Sequence, residues 1–455
     1  MQAFLDGRPK IAFYGDDFTG ATDTLATATL AGLRSLLFLR VPDAAQLRAA
    51  GHLDCLGIAG AARSMDPAQM RAELEPVSAF FSGLRAPVTH YKICSTFDSA
   101  PEIGSIGAAV RIWRARIRNP FVPVVGGQPN LRRYCLFSHL HAAEKAGGDV
   151  VRIDRHPTMS RHPVTPMDES DMRVHLARQG LRAAGVHYPL YADAPALAAR
   201  IDALLDAGHE ALLFDVAGEA DLAAIGRAIW TRALERDLLA VGASSVVQSL
   251  AAWWRSQGWL APAPVEPDAN PDANPDRGPY AIAAAQGAVF ALAGSLSPIT
   301  ALQVGAASSY DKILLDPARL VGGDADYLQT AVARIAAGLR AGRHTLACTA
   351  AHEGERQLLA DAGAAQRLAM ACGELLRRVL QAAPLSRVGV AGGDTSSHAL
   401  KALDIWGLSY RGNLAPGVAL CRAHAGAAHL DGLEIMLKGG QMGPAELFEL
   451  LVRGV

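Results

Sequence analysis

The hydrophobic positions of this chain form short apolar runs that alternate with longer amphipathic stretches. The runs predict strands at residues 11–14, 35–39, 56–59, 88–93, 122–125 and 211–216, and then at 290–293, 313–315, 345–348 and 388–391. The stretches between them repeat apolar residues with a helical period, as at 21–32, 221–236, 327–341 and 364–380. Alternation of this kind is typical of βαβ units. We therefore expect an α/β fold with two domains, each a largely parallel sheet flanked by helices.

A proline-rich segment at 261–279 separates the two halves of the pattern. It holds six prolines and repeats the sequence Asp-Ala-Asn-Pro at Asp268 and Asp272. Proline fixes φ and lacks a backbone donor, so neither a helix nor a sheet can run through this segment. The predicted organisation is a domain at 1–260, a linker or excursion at 261–279 and a domain at 280–455. Ligands of such folds bind beyond the C-terminal ends of the strands.

Composition narrows the class of protein. The chain of 455 residues carries a net charge of −1, without the basic excess of a nucleic-acid-binding protein. Its six cysteines are scattered and form no C-x-x-C pair, as in cytosolic proteins with reduced thiols. The N-terminus has no apolar signal-peptide segment, and no run approaches the ~20 apolar residues of a membrane helix. We expect a soluble cytoplasmic protein without a nucleic-acid or membrane partner.

Two adjacent carboxylates, Asp16 and Asp17, directly follow the first predicted strand and precede a helix. One of them can cap the N-terminus of that helix. The other then needs a partner, which the sequence leaves open between a substrate hydroxyl and a solvated cation.

Two cations follow neighbouring predicted strands. Lys92 closes the fourth run beside the hydroxyls of Ser95 and Thr96, which suits a small carboxylate. The alternative is a surface lysine next to a local Ser/Thr turn. Arg63 follows the third run, and its guanidinium can bind a carboxylate through two parallel hydrogen bonds.

Three loops of small residues follow strands in the second half, at 294–298, 392–397 and 438–443. Glycines allow the backbone to approach phosphates, and a helix N-terminus favours negative charge. None of the loops is a Walker A motif or a dinucleotide fingerprint. For the loop at 392–397 the alternative is a tight turn in which Asp394 or Thr395 caps the helix. Together the three loops favour a nucleotide pocket.

His156 and His162 lie in a segment with a proline after each histidine. Their spacing does not match a helical ligand pair, and no carboxylate completes a zinc site. We therefore predict no metal ligands in the chain and interpret the segment as a lid or a loop that faces the substrate.

In these motifs the chain resembles the four-carbon acid sugar kinase family over nearly its whole length. The motifs that carry the resemblance are D-D-F-T-G-A at 16–21, K-x-x-S-T at 92–96, H-P-V-T-P-M-D-E-S-D at 162–171, G-S-x-S-P-x-T-x-x-Q at 294–303, G-G-D-T at 392–395 and K-G-G at 438–440. The resemblance implies ATP-dependent phosphorylation of acids such as threonate, erythronate or 3-oxo-tetronate, in a cleft between the domains.

The resemblance also implies the site residues. The sugar acid is expected at Asp16, Arg63, Lys92, Ile93, Cys94 and Ser95. ATP is expected at Ser295 or Ser297, at Gly392, Gly393, Asp394 and Thr395, and at Gly439 or Gly440. The chain departs from the family after Thr96, where many members read L-R-G-N and this chain has Phe97-Asp98-Ser99. A carboxylate thus replaces a cation, which leaves the exact substrate open.

Phosphoryl transfer depends mainly on positioning and on neutralising charge, here with Mg²⁺ bridging phosphate oxygens. The candidate base that takes the substrate hydroxyl proton is Asp394, with Asp17 as second candidate. Two other functions stay open: a non-catalytic sugar-acid-binding or sensor protein, and a nicotinamide-dependent dehydrogenase. The missing dinucleotide fingerprint weighs against the dehydrogenase. The oligomeric state is also open, a homodimer included.

Overall fold

The computed structural model describes residues 7–144, 147–162, 164–209, 211–260, 280–294, 297–349, 362–439 and 442–455. The segment 261–279, Ser295 and Gly440 lie outside the described residues, and Asp394 is described by its backbone alone. The chain divides into two compact units, Met1–Leu36 with Arg40–Pro264 and Leu37–Leu39 with Val265–Val455. Within the described ranges no helix is both long and apolar enough to cross a membrane.

Unit 1 is built on a parallel sheet. Over residues 11–242 the strands of the chain are β1 (Ile11–Gly15), β2 (Ser35–Phe38), β3 (Cys55–Ala59), β4 (Val88–Lys92), β5 (Val122–Val125), β6 (Gly127–Gln128), β7 (Arg133–Leu136), β8 (His139–Ala143), β9 (Val150–Arg152), β10 (Ala183–Val186), β11 (Ala211–Phe214) and β12 (Leu238–Gly242). The parallel strands run in the order β10-β11-β5-β12-β4-β1-β3. Every residue of β1, β3, β4 and β12 is buried. Strands buried on both faces need helices on both faces, as the sequence pattern predicted.

The helices that cover this sheet are α1 (Phe18–Leu30), α2 (Ala44–Ala50), α3 (Pro67–Leu84), α4 (Ile106–Arg114), α5 (Met172–Arg178), α6 (Ala194–Asp206), α7 (Leu222–Glu235) and α8 (Ser245–Ser256). Large aromatic side chains fill the layer between helices. Trp230 of α7 meets Trp254 of α8 edge to face, with ring centroids 4.9 Å apart. Such a pair adds specific geometry to the apolar area that the two helices bury.

A second, antiparallel sheet of unit 1 was not predicted. Its strand order is β6-β7-β8-β9. The turn between β7 and β8 consists of Phe137 and Ser138, both with positive φ of 49° and 70°. Two-residue hairpin turns of this kind usually carry Asn-Gly or Asp-Gly. Because neither phenylalanine nor serine is usual at a position of positive φ, the sequence lacks the signal by which the hairpin could have been found.

Unit 2 has a mixed sheet. Its strands are β13 (Phe290–Ala293), β14 (Tyr310–Leu314), β15 (His344–Cys348), β16 (Arg387–Ala391), β17 (Ile405–Ala415), β18 (Val418–Ala425) and β19 (Glu434–Lys438). Its helices are α9 (Pro298–Ala306), α10 (Pro317–Val321), α11 (Ala325–Arg340), α12 (Ala362–Ala382), α13 (Gly393–Ala402) and α14 (Leu447–Arg453). The strand order is β17-β18-β19-β16-β13-β15-β14.

Five strands of unit 2, from β19 to β14 in that order, are parallel to one another. The long hairpin of β17 and β18 adds two antiparallel strands. Leu37–Leu39 belongs to this unit as well: Leu37 and Phe38 pair antiparallel with Leu408 and Gly407 of β17. The α/β class with largely parallel, helix-flanked sheets is confirmed, and the antiparallel hairpin is an addition to it.

Candidate active site

The strand ends of unit 1 form one row, which explains why distant residues meet. Gly15 at the end of β1 pairs with Ala59 of β3 and with Lys92 of β4, and Gly242 of β12 pairs with Lys92 and with Val125 of β5. Residues that directly follow these strands therefore share one edge of the sheet, where ligands of parallel α/β folds bind.

Asp16, Asp17, Arg63 and Lys92 meet at this edge, and we call them the carboxylate–cation cluster. The Nη2 of Arg63 donates to Oδ1 of Asp16 at 2.6 Å and to Oδ1 of Asp17 at 2.8 Å, and its Nε donates to Oδ2 of Asp16 at 3.2 Å. Lys92 Nζ lies 3.4 Å from Oδ1 of Asp17. Asp17 also caps α1, accepting from Gly20 N at 3.1 Å. Asp17 is therefore the cap, and Asp16 is bound by Arg63, a protein side chain that was not among the partners expected for it.

Asp16 and Lys92 are buried, Asp17 and Arg63 are partly exposed, and the charges of the cluster depend on one another. Asp16 is 3% exposed and Lys92 4% exposed. Burial raises the pKa of the Asp16 carboxyl, and the charges of Arg63 and Lys92 oppose this only in part. Burial acts in the same direction on Asp17, but Arg63, Lys92 and the Thr19 hydroxyl outweigh it and hold the pKa of Asp17 well below its ordinary value. Asp17 is therefore the weaker base of the two carboxylates.

The glycine of the D-D-F-T-G-A motif has a steric reason. A Cβ atom at Gly20 would overlap the Nζ of Lys92. Only glycine lets the buried ammonium lie against the first turn of α1, beside the Asp17 carboxylate.

The segment after Lys92 contributes in different ways. Ile93 is buried and its N–H donates to Gly242 O at 2.9 Å, so it extends the sheet. Ser95 is also buried. Cys94 Sγ lies 2.9 Å from the Thr96 hydroxyl, which donates to Oδ1 of Asp98 at 2.5 Å.

At neutral pH Asp98 is ionised and Cys94 is not, because their pKa values shift in opposite directions. Burial and the Asp98 carboxylate raise the pKa of the Cys94 thiol to about 11, so this thiol is protonated at neutral pH. Burial also acts to raise the pKa of Asp98, but the charge of Arg63 and the hydrogen bond from Thr96 outweigh it and lower that pKa. The departure from the family pattern therefore places an ionised carboxylate in the field of Arg63.

A second polar group at the same edge was missed by the sequence argument. Asp23 accepts hydrogen bonds from Gln128 Nε2 at 3.1 Å and from Ser244 Oγ at 2.5 Å, and Ser244 also lies 3.0 Å from Thr24 Oγ1. Ser244 follows β12, which was not among the predicted strands. The signal was present as an apolar run at 238–241 followed by small residues.

The two histidines of the proline-flanked segment support its loop. His156 Nδ1 accepts from the backbone N–H groups of Thr158 and Met159, both at 3.2 Å, and His162 Nδ1 accepts from Thr165 N at 3.1 Å. Over the described ranges, no three His, Cys, Asp or Glu side chains group as a metal site.

The small-residue loops of unit 2 also follow neighbouring strands. Ala391 of β16 pairs with Lys438 of β19 and with Ala293 of β13. The loops that begin at Gly294, Gly392 and Gly439 therefore share one edge. The first two are in contact, since a Cβ atom at Gly294 would overlap the Thr395 side chain.

Helix α13 begins at this edge with an unusual cap. Its N-cap is Gly392, with φ of 123° and no side-chain cap. The interpretation in which Asp394 or Thr395 caps the helix is therefore wrong, because both lie inside the first turn. First-turn N–H groups have no partner within a helix and attract anions. Ser297, by contrast, is used as the N-cap of α9 and accepts from Ile299 N at 3.3 Å.

Lys438 joins two of the sequence motifs. It is 0% exposed, and its Nζ donates to Thr300 Oγ1 at 3.0 Å and to Gln303 Oε1 at 2.5 Å. The amide of Gln303 in turn donates to the carbonyls of Met442, Gly443 and Pro444 at 2.9–3.1 Å. Thr and Gln of G-S-x-S-P-x-T-x-x-Q thus hold the lysine of K-G-G. Burial lowers the pKa of Lys438 to about 8.

This shift predicts a pH dependence of stability. Because the ammonium of Lys438 is disfavoured in the folded chain, the folded state binds fewer protons than the unfolded state between about pH 8 and the ordinary lysine value of 10.5. The free energy of unfolding should rise with pH in that window, relative to Lys438→Met, which cannot titrate. Urea unfolding of both proteins at pH 7 to 10 measures the difference. A constant difference across the window would contradict a lowered pKa.

Comparison with known proteins agrees with this arrangement of two units. Residues 11–250 match a family model described as a sugar-binding N-terminal domain, and residues 290–448 match one described as a nucleotide-binding C-terminal domain. A crystal structure of a protein from Salmonella typhimurium LT2 superposes with a TM-score of 0.75 at 21% identity, covering 96% of this chain and 98% of that one. That likeness shows a shared fold.

Three curated relatives are similar along nearly their whole length. The 3-oxo-isoapionate kinase of Paraburkholderia graminis is 38% identical over 98% of this chain and 94% of its own. The 3-oxo-tetronate kinases of Methylobacterium radiotolerans and Cupriavidus necator are 31% and 29% identical, over 95% and 99% of this chain and 96% and 98% of their own. The chain belongs to the four-carbon acid sugar kinase family.

Proposed function

We propose that this protein is an ATP-dependent kinase that phosphorylates a hydroxyl of a small sugar acid. The acid binds at the carboxylate–cation cluster of unit 1, and ATP binds at the small-residue loops of unit 2. The observation that carries the proposal lies at the C-terminal end of β16. There, a glycine-capped helix begins beside two further glycine loops, in a chain whose relatives are named as kinases. Relatives with these names favour neither a sensor without turnover nor a dehydrogenase.

The substrate class follows from the relatives. Their names denote 3-oxo acids, so 3-oxo-isoapionate and 3-oxo-tetronate are the first candidates, followed by threonate and erythronate. A small acid with several hydroxyls suits an edge that presents carboxylates for hydroxyls and cations for a carboxylate. Asp98 beside Arg63 is the feature by which the preferred acid is expected to differ from that of relatives with a cation there.

The usual ligands of Mg²⁺ can be compared with the side chains that the described residues offer. Mg²⁺ in kinases is held mainly by phosphate oxygens and waters, with one or two carboxylates. The described residues contain no cluster of three metal-binding side chains, which is compatible with a cation brought in by ATP. Phosphate oxygens of ATP and waters would therefore hold the cation, which leaves the Asp394 carboxylate to act as the base. The cation supplies charge neutralisation at the phosphates.

We assign phosphate binding and proton transfer to residues of the chain itself. First-turn amides of α13 and the backbone of Gly439 bind phosphate oxygens, and Ser295, Ser297 and Gly440 are proposed in the same pocket. Asp394 takes the proton of the attacking hydroxyl. Asp17 is the second candidate for this step, and its lowered pKa counts against it.

ADP release in a coupled assay tests the function. We expect turnover with 3-oxo-tetronate, threonate or erythronate and none with erythritol, which lacks the carboxylate. Binding of these acids without any ADP release would make the protein a sensor. Hydrogen exchange tests the roles of the units: an ATP analogue should protect amides in 280–455, and the acid should protect amides in 1–260. Protection by the nucleotide mainly in the first unit would contradict the assignment.

A further inference from the structure

The cations already described at the sugar-acid edge are occupied by the protein itself. Arg63 donates three hydrogen bonds to Asp16 and Asp17, and Lys92 is paired with Asp17. A guanidinium whose charge is already shared among Asp16, Asp17 and Asp98 has little positive potential left for a fourth carboxylate. The substrate carboxylate therefore needs another partner, if it is to be bound by a strong cation.

A third cation, Arg133, faces the same edge from the small antiparallel sheet. Arg133 of β7 lies directly opposite Gln128 of β6. Directly opposed residues of an antiparallel pair project from the same face of a sheet. The Gln128 side chain reaches Asp23 at 3.1 Å, and Asp23 is bound to Ser244 at the end of β12. The side chain of Arg133 thus starts toward the row of strand ends.

The hydrogen-bonding capacity of Arg133 is only partly used. Nη1 donates to Leu131 O at 2.6 Å. Nε is buried and has no hydrogen-bond partner among the described residues. No ion pair holds this guanidinium within the described part of the chain. Burial lowers the pKa of Arg133, although the Asp23 and Asp98 carboxylates attract its charge. A buried guanidinium N–H without an acceptor is costly, and a ligand oxygen would satisfy it.

We propose that Arg133 binds the carboxylate of the sugar acid, and that Arg63 is a positioning residue that holds Asp16 and Asp17 toward the sugar hydroxyls. The proposal rests on the proposed function. It names the residue that distinguishes the carboxylate of the substrate from a neutral group. A planar guanidinium with a free Nε edge matches a carboxylate by two parallel hydrogen bonds, which an ammonium cannot do.

The test compares an acid with its neutral amide. Threonate and threonamide differ at the group that Arg133 is assigned to bind. In Arg133→Gln, kcat/KM for threonate should fall about 10- to 100-fold, the usual effect of losing a hydrogen bond to a charged group, while that for threonamide stays within about twofold. Arg133→Lys should recover only part of the loss. Arg152→Gln is the matched control, since Arg152 is an exposed arginine on β9 of the same sheet, paired with Asp154.

Equal losses for acid and amide in Arg133→Gln, or no loss for either, would overturn the proposal. An unchanged KM for ATP and an unchanged melting temperature show that the variant is folded. If neither compound is turned over, calorimetric binding of threonate and threonamide to the same variants replaces kcat/KM. The proposed kinase function fails only if 3-oxo-tetronate and erythronate also give no ADP release, while the role of Arg133 is decided in either case by the loss of acid preference. Failure of the wild type to bind threonate, erythronate or 3-oxo-tetronate overturns both.

Discussion

Asp394→Asn should lower kcat by about 10²–10⁴-fold while ATP binding and folding stay near wild type, because an amide cannot take the proton of the attacking hydroxyl. The substitution is nearly isosteric, and it leaves the helix cap untouched since Gly392 is the N-cap of α13. Steady-state kinetics with saturating acid and ATP measures kcat. Thermal melting without and with ATP measures folding stability and ATP binding. If Asp394 served only to bind Mg²⁺, excess Mg²⁺ would restore much of the rate.

Asp17→Asn is the matched control for this prediction. Asparagine can still accept the hydrogen bond from Gly20 N, so α1 keeps its cap. The pKa of Asp17 lies well below its ordinary value, which makes it a poor proton acceptor. We expect a raised KM for the acid and a smaller change in kcat. A large loss of kcat in Asp17→Asn, with Asp394→Asn near wild type, would place the base on unit 1. Near-wild-type rates in both would leave positioning alone as the source of catalysis.

Arg63→Ala should destabilise the protein by about 3–5 kcal/mol, the usual cost of removing one partner of a buried ion pair. Without Arg63, the Asp16 carboxylate, which is 3% exposed in the folded protein, loses its charged hydrogen-bond partner, and Asp17 keeps Lys92 as its ion-pair partner among the described residues. Urea unfolding of unit 1, followed by tryptophan fluorescence, measures the loss. The effect of Arg63 on substrate binding thus cannot be separated from its effect on folding by this variant alone.

The double variant Arg63→Ala/Asp16→Asn tests where the lost stability comes from. Removal of the buried charge together with its partner should recover most of the lost stability, because the penalty arises from the uncompensated carboxylate. Arg71→Ala is the surface control: Arg71 and Glu75 form an exposed helical pair at 3.1 Å, worth about 0.3–0.5 kcal/mol. A loss in Arg63→Ala as small as that in Arg71→Ala would contradict a buried, mutually dependent cluster.

The sequence predicted the row of strand ends in unit 1 better than it predicted the contacts there. Strand periodicity placed Asp16, Arg63 and Lys92 after neighbouring strands, and in a parallel sheet such residues share an edge. It could not tell that Arg63 would be taken up by Asp16 and Asp17, because the partner of a charged side chain depends on tertiary distances of a few ångströms.

What the sequence did not predict has identifiable causes. The sheet of β6 to β9 is short, and its hairpin turn at Phe137 and Ser138 uses residues that rarely adopt positive φ. Arg133 therefore could not be placed on any element, and its approach to the site stayed hidden. In unit 2, glycine and hydroxyl residues marked the loops correctly, whereas the capping of α13 by Gly392 rather than by a side chain follows from backbone conformation.

The assignment of Leu37–Leu39 to unit 2 has a consequence for dividing the gene. A fragment that starts after the proline-rich segment would lack the residues that pair with Gly407 and Leu408. Strand β17, which spans Ile405–Ala415, would then present unpaired backbone groups along an open edge, and such edges recruit strands from other chains. Unit 2 is therefore incomplete in a fragment that begins after the proline-rich segment. Its transplantation into another kinase would require the donor's 37–39 stretch as well.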